Sequence, residues 1–204
     1  ITTGASAGNI TFAAAATING TTTHTETLAL TAGTGNIDFN GAVGGTTVLG
    51  TVTINQAALV DVDANFTVAA LTANGGNITT FDSTGFTINT TGAANAAGGA
   101  VAITTTGALS AGPITTTGGA STGVGRAAGS VTLNSGTTLT TNTITATGSA
   151  AAAASALAGG AGGVVGLTGT TQINLGGNID TSGGLGDPAP GTANQGAGGN
   201  VTFN

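Results

Sequence analysis

The side chains able to do chemistry are few enough to name one by one. Across 204 residues there is one histidine, one basic side chain and seven acids, with no cysteine. His24 stands two residues before Glu26, so the two are expected on one strand face, where they can pair. A catalytic dyad would need a third partner, which the neighbouring threonines do not supply. Asp61 and Asp63 are likewise expected on one strand face. Calcium wants about six to eight oxygen ligands, and no loop gathers them here, so these acids are read as surface charges. The run Gly183-Gly184-Leu185-Gly186-Asp187 is close to a calcium-binding nonapeptide, but its acid comes one residue early and nothing repeats it. Arg126 lies in a small-residue insert and is read as a solvated charge. No catalytic residue, cofactor or metal site is expected.

The elements that hold these residues are unusual in composition. Charged residues make up 4% of the chain, and 39 residues are glycine. General acid–base and nucleophilic catalysis need titratable groups held close together, and few are present. A structural zinc site needs Cys or His ligands. Nucleic-acid binding needs a basic footprint, whereas the net charge is −6. A membrane-spanning helix needs about 20 mainly apolar residues; the closest run, Ala150 to Val165, is short and interrupted by glycine. No nucleic-acid partner and no membrane insertion are therefore expected. The start at Ile1, with no basic leader, is read as a mature or excised chain. Whole-chain disorder is disfavoured by regularly placed Ile, Val, Leu and Phe and by a proline count of three.

A short pattern recurs: glycine, a small or polar residue, a β-branched residue, any residue, then an apolar one. It occurs as Gly8-Asn9-Ile10-Thr11-Phe12, Gly35-Asn36-Ile37-Asp38-Phe39, Gly99-Ala100-Val101-Ala102-Ile103, Gly129-Ser130-Val131-Thr132-Leu133 and Gly199-Asn200-Val201-Thr202-Phe203. Weaker copies start at Gly76 and Gly163, and the long interval from Gly35 to Gly76 is expected to hold more than one turn of the repeat. Between anchors comes Ile-x-Thr followed by glycine, as at Ile114–Gly119, Ile144–Ser149 and Ile179–Gly184, and then a small-residue insert of variable length. The alternation within each segment has the period of a strand with one apolar face. The alanines at 150–157 favour a helix in isolation, but flanking glycines and the variable insert argue for a loop.

Such units cannot bury an apolar face singly, but stacked units can. The expectation is an all-β, right-handed parallel β-helix of about six to nine coils with variable Gly/Ala-rich inserts, forming one domain over residues 1–204. Ile10, Ile37, Val101, Val131 and Val201 are expected in one internal column. Phe12, Phe39 and Phe203, with Ile103 and Leu133, are expected in a neighbouring one. The scarcity of charge then has a cause, because stacking sets like charges opposite one another. The first and last segments read as parts of the repeat rather than as caps. The chain is therefore expected to continue into flanking repeats or to associate end to end.

On the surface, Thr21-x-Thr23-x-Thr25-x-Thr27 reads as an alternating row. Thr115-x-Thr117 and Thr145-x-Thr147 fall at equivalent points of adjacent coils, with Asp180 and Ser182 in the next. Flat threonine arrays suit ice, and a glycan is a further ligand to consider. Asn-x-Thr at Asn9, Asn19, Asn65, Asn77, Asn89 and Asn200 is formally a glycosylation acceptor, but in a chain so rich in Asn and Thr it is read as strand patterning.

The run from Leu28 to Gly45, with Gly35-Asn36-Ile37-Asp38-Phe39 at its centre, and the later Gly-Gly-rich units resemble the β-strand-repeat surface proteins of bacteria. These are the filamentous-haemagglutinin-like adhesins and autotransporter passenger regions. The resemblance covers most of the chain and rests on composition and period. It implies a right-handed parallel β-helix outside the cell, serving as a stalk, fibre or adhesin. No Arg-Gly-Asp motif accompanies it. A polysaccharide lyase of the same shape is disfavoured, because it would need a base and several cations.

Overall fold

The computed structural model describes residues 1–153, 156–187 and 194–204. It contains strands and turns, and no helix among the described residues. Every strand pairing is parallel, and the pairings line up in three ladders.

The first ladder runs through Leu28–Thr31, the leading half of Leu49–Val62, the trailing part of Phe66–Ala73, then Val101–Thr105, Val131–Ser135, Val165–Gly169 and Val201–Phe203. The second takes Ile10–Phe12, Ile37–Phe39, the trailing half of Leu49–Val62, Asn77–Asp82, Leu109–Ala111, Thr138–Thr141 and Gln172–Leu175. The third joins the start of Phe66–Ala73 to Ile88–Asn89, Ile114–Thr115, Ile144–Thr145 and Ile179–Asp180. Single bridges from Ile18 to Val43 and from Val43 to Phe66 extend it toward the N-terminus. This arrangement is consistent with a β-solenoid. Gly35 to Gly76 spans two steps of the second ladder, since Asp38 pairs with Asp61 and Asp61 with Asp82.

Alternation sorts the side chains. In Val131–Ser135, Val131, Leu133 and Ser135 are buried while Thr132 is exposed. Phe39, Val62 and Phe81 from the second ladder meet Ile54 and Leu71 from the first and Phe66 and Ile88 from the third, leaving no space for a water between them. The three ladders therefore share one dry core. Phe39 sits at its centre, stacked on Phe12 and edge-on to Phe66, each at 5.1 Å between ring centres. Removing such a buried ring costs about 3–5 kcal/mol.

The expected columns need correction. Ile10 and Ile37 pair in the second ladder, whereas Val101, Val131, Val165 and Val201 succeed one another in the first. Phe12 and Phe39 belong with the former pair, and Ile103, Leu133, Leu167 and Phe203 with the latter series. The same five-residue pattern thus serves two different corners of the fold. A strand records only which side chains face inward, and both corners need that. Within these series Val201 and Phe203 are exposed, at 38% and 51%.

Glycine has two uses. Gly33 and Gly76 adopt φ of 58° and 69° and make tight corners. Most others permit close approach of backbones. A Cβ on Gly129 would lie 1.9 Å from the Gly99 oxygen, one on Gly160 1.9 Å from the Arg126 oxygen, and one on Gly196 1.8 Å from the Gly160 oxygen. The described parts of the inserts form a backbone layer of their own. Arg126 O accepts from Ser149 N, Ser149 O from Gly160 N, Gly160 O from Gly184 N, and Gly184 O from Gly196 N, at 2.7–2.9 Å. The described part of the alanine run at 150–157 contains no helix, and residues 154 and 155 lie outside the described set.

Candidate functional site

The third ladder carries the threonine columns. Thr115 pairs with Thr145, and Thr145 with Asp180. Asn89 precedes Thr115 in the same column. One step along, the Thr117 and Thr147 hydroxyls are 3.5 Å apart. All four threonines are half-buried. The column is therefore short, bounded by an amide on one side and a carboxylate on the other. Asp180 is itself engaged: the Ser182 hydroxyl and backbone N–H both donate to it, holding its carboxyl below the usual range.

The row Thr21–Thr27 is not a strand. Residues 21–25 form a turn, with His24 at φ 63°. His24 and Glu26 therefore do not share a strand face. Glu26 accepts from the Thr21 hydroxyl and the Thr22 N–H, and those bonds lower its pKa. His24 Nδ1 lies 2.9 Å from the Thr23 hydroxyl. Alternating threonines have the strand period, but the tight bend between Gly20 and Glu26 overrides it.

Between Thr and Gly lies a feature that sequence reasoning missed. Thr90, Thr116 and Thr181 each direct a hydroxyl to the carbonyl of a glycine that precedes a first-ladder strand: Gly99 at 2.6 Å, Gly129 at 2.8 Å and Gly199 at 2.8 Å. The same glycines return N–H bonds to the threonine carbonyls at 2.7–2.8 Å. At the fourth such corner Ala146 replaces threonine, and only the return bond from Gly163 is formed. These clamps close inserts of different length at one fixed point. The sequence signal was present, as the third residue of Ile88-Asn89-Thr90, Ile114-Thr115-Thr116 and Ile179-Asp180-Thr181.

Asparagines at the corners act between steps of the stack. The Asn9, Asn19, Asn65 and Asn95 side-chain oxygens accept from the backbone N–H groups of Asn36, Thr46, Thr87 and Thr122 at 2.8–3.2 Å. Three of the Asn-x-Thr acceptor positions are thus tied into the fold through their carboxamides.

Three of the seven acids stack in register despite the general avoidance of charge. Asp38, Asp61 and Asp82 occupy one column of the second ladder. The outer two have donors: the Thr11 hydroxyl at 2.9 Å from Asp38, and the Thr84 N–H at 2.8 Å from Asp82. Asp61, in the middle, has its carboxyl pushed up, first by partial burial and then by the charges of Asp63, Asp82 and Asp38. Asp63 lies just past the strand end and is exposed. No His, Cys, Asp or Glu grouping among the described residues could hold a metal ion.

Arg126 lies within the backbone layer, half-buried, rather than on a free loop. The Ser149 hydroxyl accepts its backbone N–H, and its Nε is buried without a partner. Asp187 accepts from the Ala156 N–H at 3.0 Å.

The C-terminal end of the stack presents an open edge. Leu175, Val201 and Phe203 are 46%, 38% and 51% exposed, whereas their counterparts one step inward, Thr141 in the second ladder and Val165 and Leu167 in the first, are buried. No family model, no curated protein and no solved structure matches the chain.

Proposed function

We propose that the chain is a non-catalytic structural unit, a right-handed parallel β-helix of about seven coils, one for each strand of the second ladder. In this reading its stacked coils build an extracellular fibre or adhesin stalk of the kind made by filamentous-haemagglutinin-like and autotransporter-passenger proteins. Right-handedness follows from the near-universal hand of parallel crossovers. The observation that carries the reading is the open C-terminal edge. Its strand N–H and C=O groups and the apolar side chains of Leu175, Val201 and Phe203 continue core columns outward. Another β-coil, from flanking repeats or from a second copy, satisfies both the hydrogen bonds and the apolar surface. The N-terminal side offers matching segments in the same order. Thr2 extends the first ladder beneath Thr31, Ile10–Phe12 the second, and Ile18 the third. Stacked neutral threonine and asparagine suit an element whose work is mechanical.

The test is sedimentation of the purified chain over a concentration series, beside a Leu175→Asp/Phe203→Asp variant. Association that grows with concentration and is abolished by the two carboxylates is the expected result. A chain that stays monomeric throughout, or a variant that associates equally well, contradicts the reading.

A second reading has one observation in its favour, the register of Thr115 with Thr145 and the adjacent Thr117 and Thr147 hydroxyls. It assigns that face to ice or to a glycan, and thermal hysteresis lost on Thr145→Val would support it.

A further inference from the structure

The corner between the first and second ladders is built unevenly. Five residues separate Ile103 from Leu109, Leu133 from Leu139, and Leu167 from Ile173, all at matching register positions. Five also separate Ile54 from Val60, where the backbone runs straight through as one strand, Leu49–Val62. On either side of that strand the corner is longer, with six residues between Leu30 and Ile37 and seven between Ala73 and Phe81. The extra residues form the turns at Gly33 and Gly76, both with positive φ. Two protruding corners flanking a straight one leave a recess, and a cavity lies there. It has a volume of about 300 Å³ and is lined by Thr34, Gln56, Ala58, Asn77, Thr79 and Thr106 among others.

These residues belong to four successive steps of the stack. Ala58 N donates to Gly35 O, Gln56 pairs with Asn77, and Thr106 and Gly107 donate to Ile78 O and Thr79 O. At about 4.8 Å per step the groove runs some 14 Å along the axis. Its wall contains no ionisable group and no aromatic ring. A phosphate or other anion would find no cation, a metal ion would find no carboxylate, and an apolar ligand would meet amides and hydroxyls. Neutral hydrogen-bonding chemistry remains, repeated at each step. Thr34, Asn77, Thr79 and Thr106 are exposed and Gln56 is half-exposed, so their polar groups are accessible.

We propose that this groove is a binding site for a neutral linear oligosaccharide lying along the stack axis. Its wall supplies amide and hydroxyl groups to sugar hydroxyls at successive levels, with the Gln56 carboxamide at the centre. Without an aromatic platform the affinity for a single sugar unit is low, with a Kd of about 1 mM or weaker, and additional units strengthen it by engaging further levels. The site is independent of the threonine columns and of end-to-end stacking.

Ligand-observed saturation-transfer NMR tests this on the full chain whether it is single or assembled. The probes are methyl glucoside and methyl mannoside, with the neutral tetrasaccharides cellotetraose, maltotetraose and α-mannotetraose. At least one tetrasaccharide should show saturable transfer and bind more tightly than its methyl monosaccharide. Gln56→Ala and Thr34→Ala should each weaken it about fivefold, the loss of one hydrogen bond, while Thr145→Val leaves it unchanged. Absence of saturable transfer for every probe overturns the proposal. So does equal affinity for one unit and four, or a signal that survives Gln56→Ala and falls with Thr145→Val.

Discussion

Thr116 and Gly129 hold each other by two hydrogen bonds. Gly129 N donates to the Thr116 carbonyl at 2.7 Å, and the Thr116 hydroxyl donates to the Gly129 carbonyl at 2.8 Å. Twelve residues of insert lie between them, yet Ile114 and Val131 remain in register with their neighbours on both sides. The clamp explains how a stack with a regular core tolerates inserts of irregular length. The buried Thr116 side chain also satisfies a carbonyl at the place where the chain re-enters the sheet.

The clamp can be tested by isosteric loss of the hydroxyl. Thr116→Val keeps the volume and removes the donor, so stability should fall by about 1–2 kcal/mol, measured by denaturant unfolding. The exposed Thr132→Val should change it little. An unaffected Thr116→Val midpoint would mean that the hydroxyl bond adds nothing to the backbone bond.

Glycine substitutions should divide by position rather than by composition. Gly160→Ala places a methyl 1.9 Å from the Arg126 carbonyl oxygen, and the layer must open, at a cost of about 1–3 kcal/mol or more. Gly166 has open space around its missing Cβ, although its register partners are Thr132 and Thr202. Gly166→Thr completes that column and should stabilise by about 0.5–1 kcal/mol. Thermal unfolding of the two variants should shift in opposite directions.

The aspartate stack gives a pH dependence whose sign can be worked out. The Asp61 pKa is raised in the folded chain. Between the unfolded value and this higher one the folded state binds more protons, so the Asp61 contribution to stability falls as pH rises through that interval. The penalty is absent below the ordinary aspartate range and complete above the folded pKa. Glu26 and Asp180 are shifted the other way, and their contributions are lost on acidification. Comparison with a single variant separates these opposing effects. Asp61→Asn should melt higher than the parent near pH 7, and the difference should vanish near pH 3. A difference of the same size at both pH values would remove ionisation of Asp61, partly buried and beside other carboxylates, as its cause.

Strand class and parallel stacking were legible in the sequence because burial on one face imposes a period of two, and Val131-Thr132-Leu133 carries it plainly. Which corner each copy occupies was not legible. Gly35-Asn36-Ile37-Asp38-Phe39 and Gly129-Ser130-Val131-Thr132-Leu133 have the same inward pattern but lie on different ladders. The His24–Glu26 pairing failed because local turn geometry outweighed alternation. The stack of Asp38, Asp61 and Asp82 was hidden because their spacing in sequence, 23 and then 21 residues, follows coil lengths that only the pairings reveal. The corner groove was hidden for the same reason, since it depends on one or two extra residues at the two corners that flank a straight one.

The central claim is that these coils stack along one axis and that their open edge continues the stack. Electron microscopy of the assembled chain, averaged along its long axis, tests it most directly. The expected result is continuous rods with an axial repeat of about 4.8 Å that runs unbroken from one chain to the next. Discrete particles of about 30–40 Å that never join, or rods without that repeat, would contradict it.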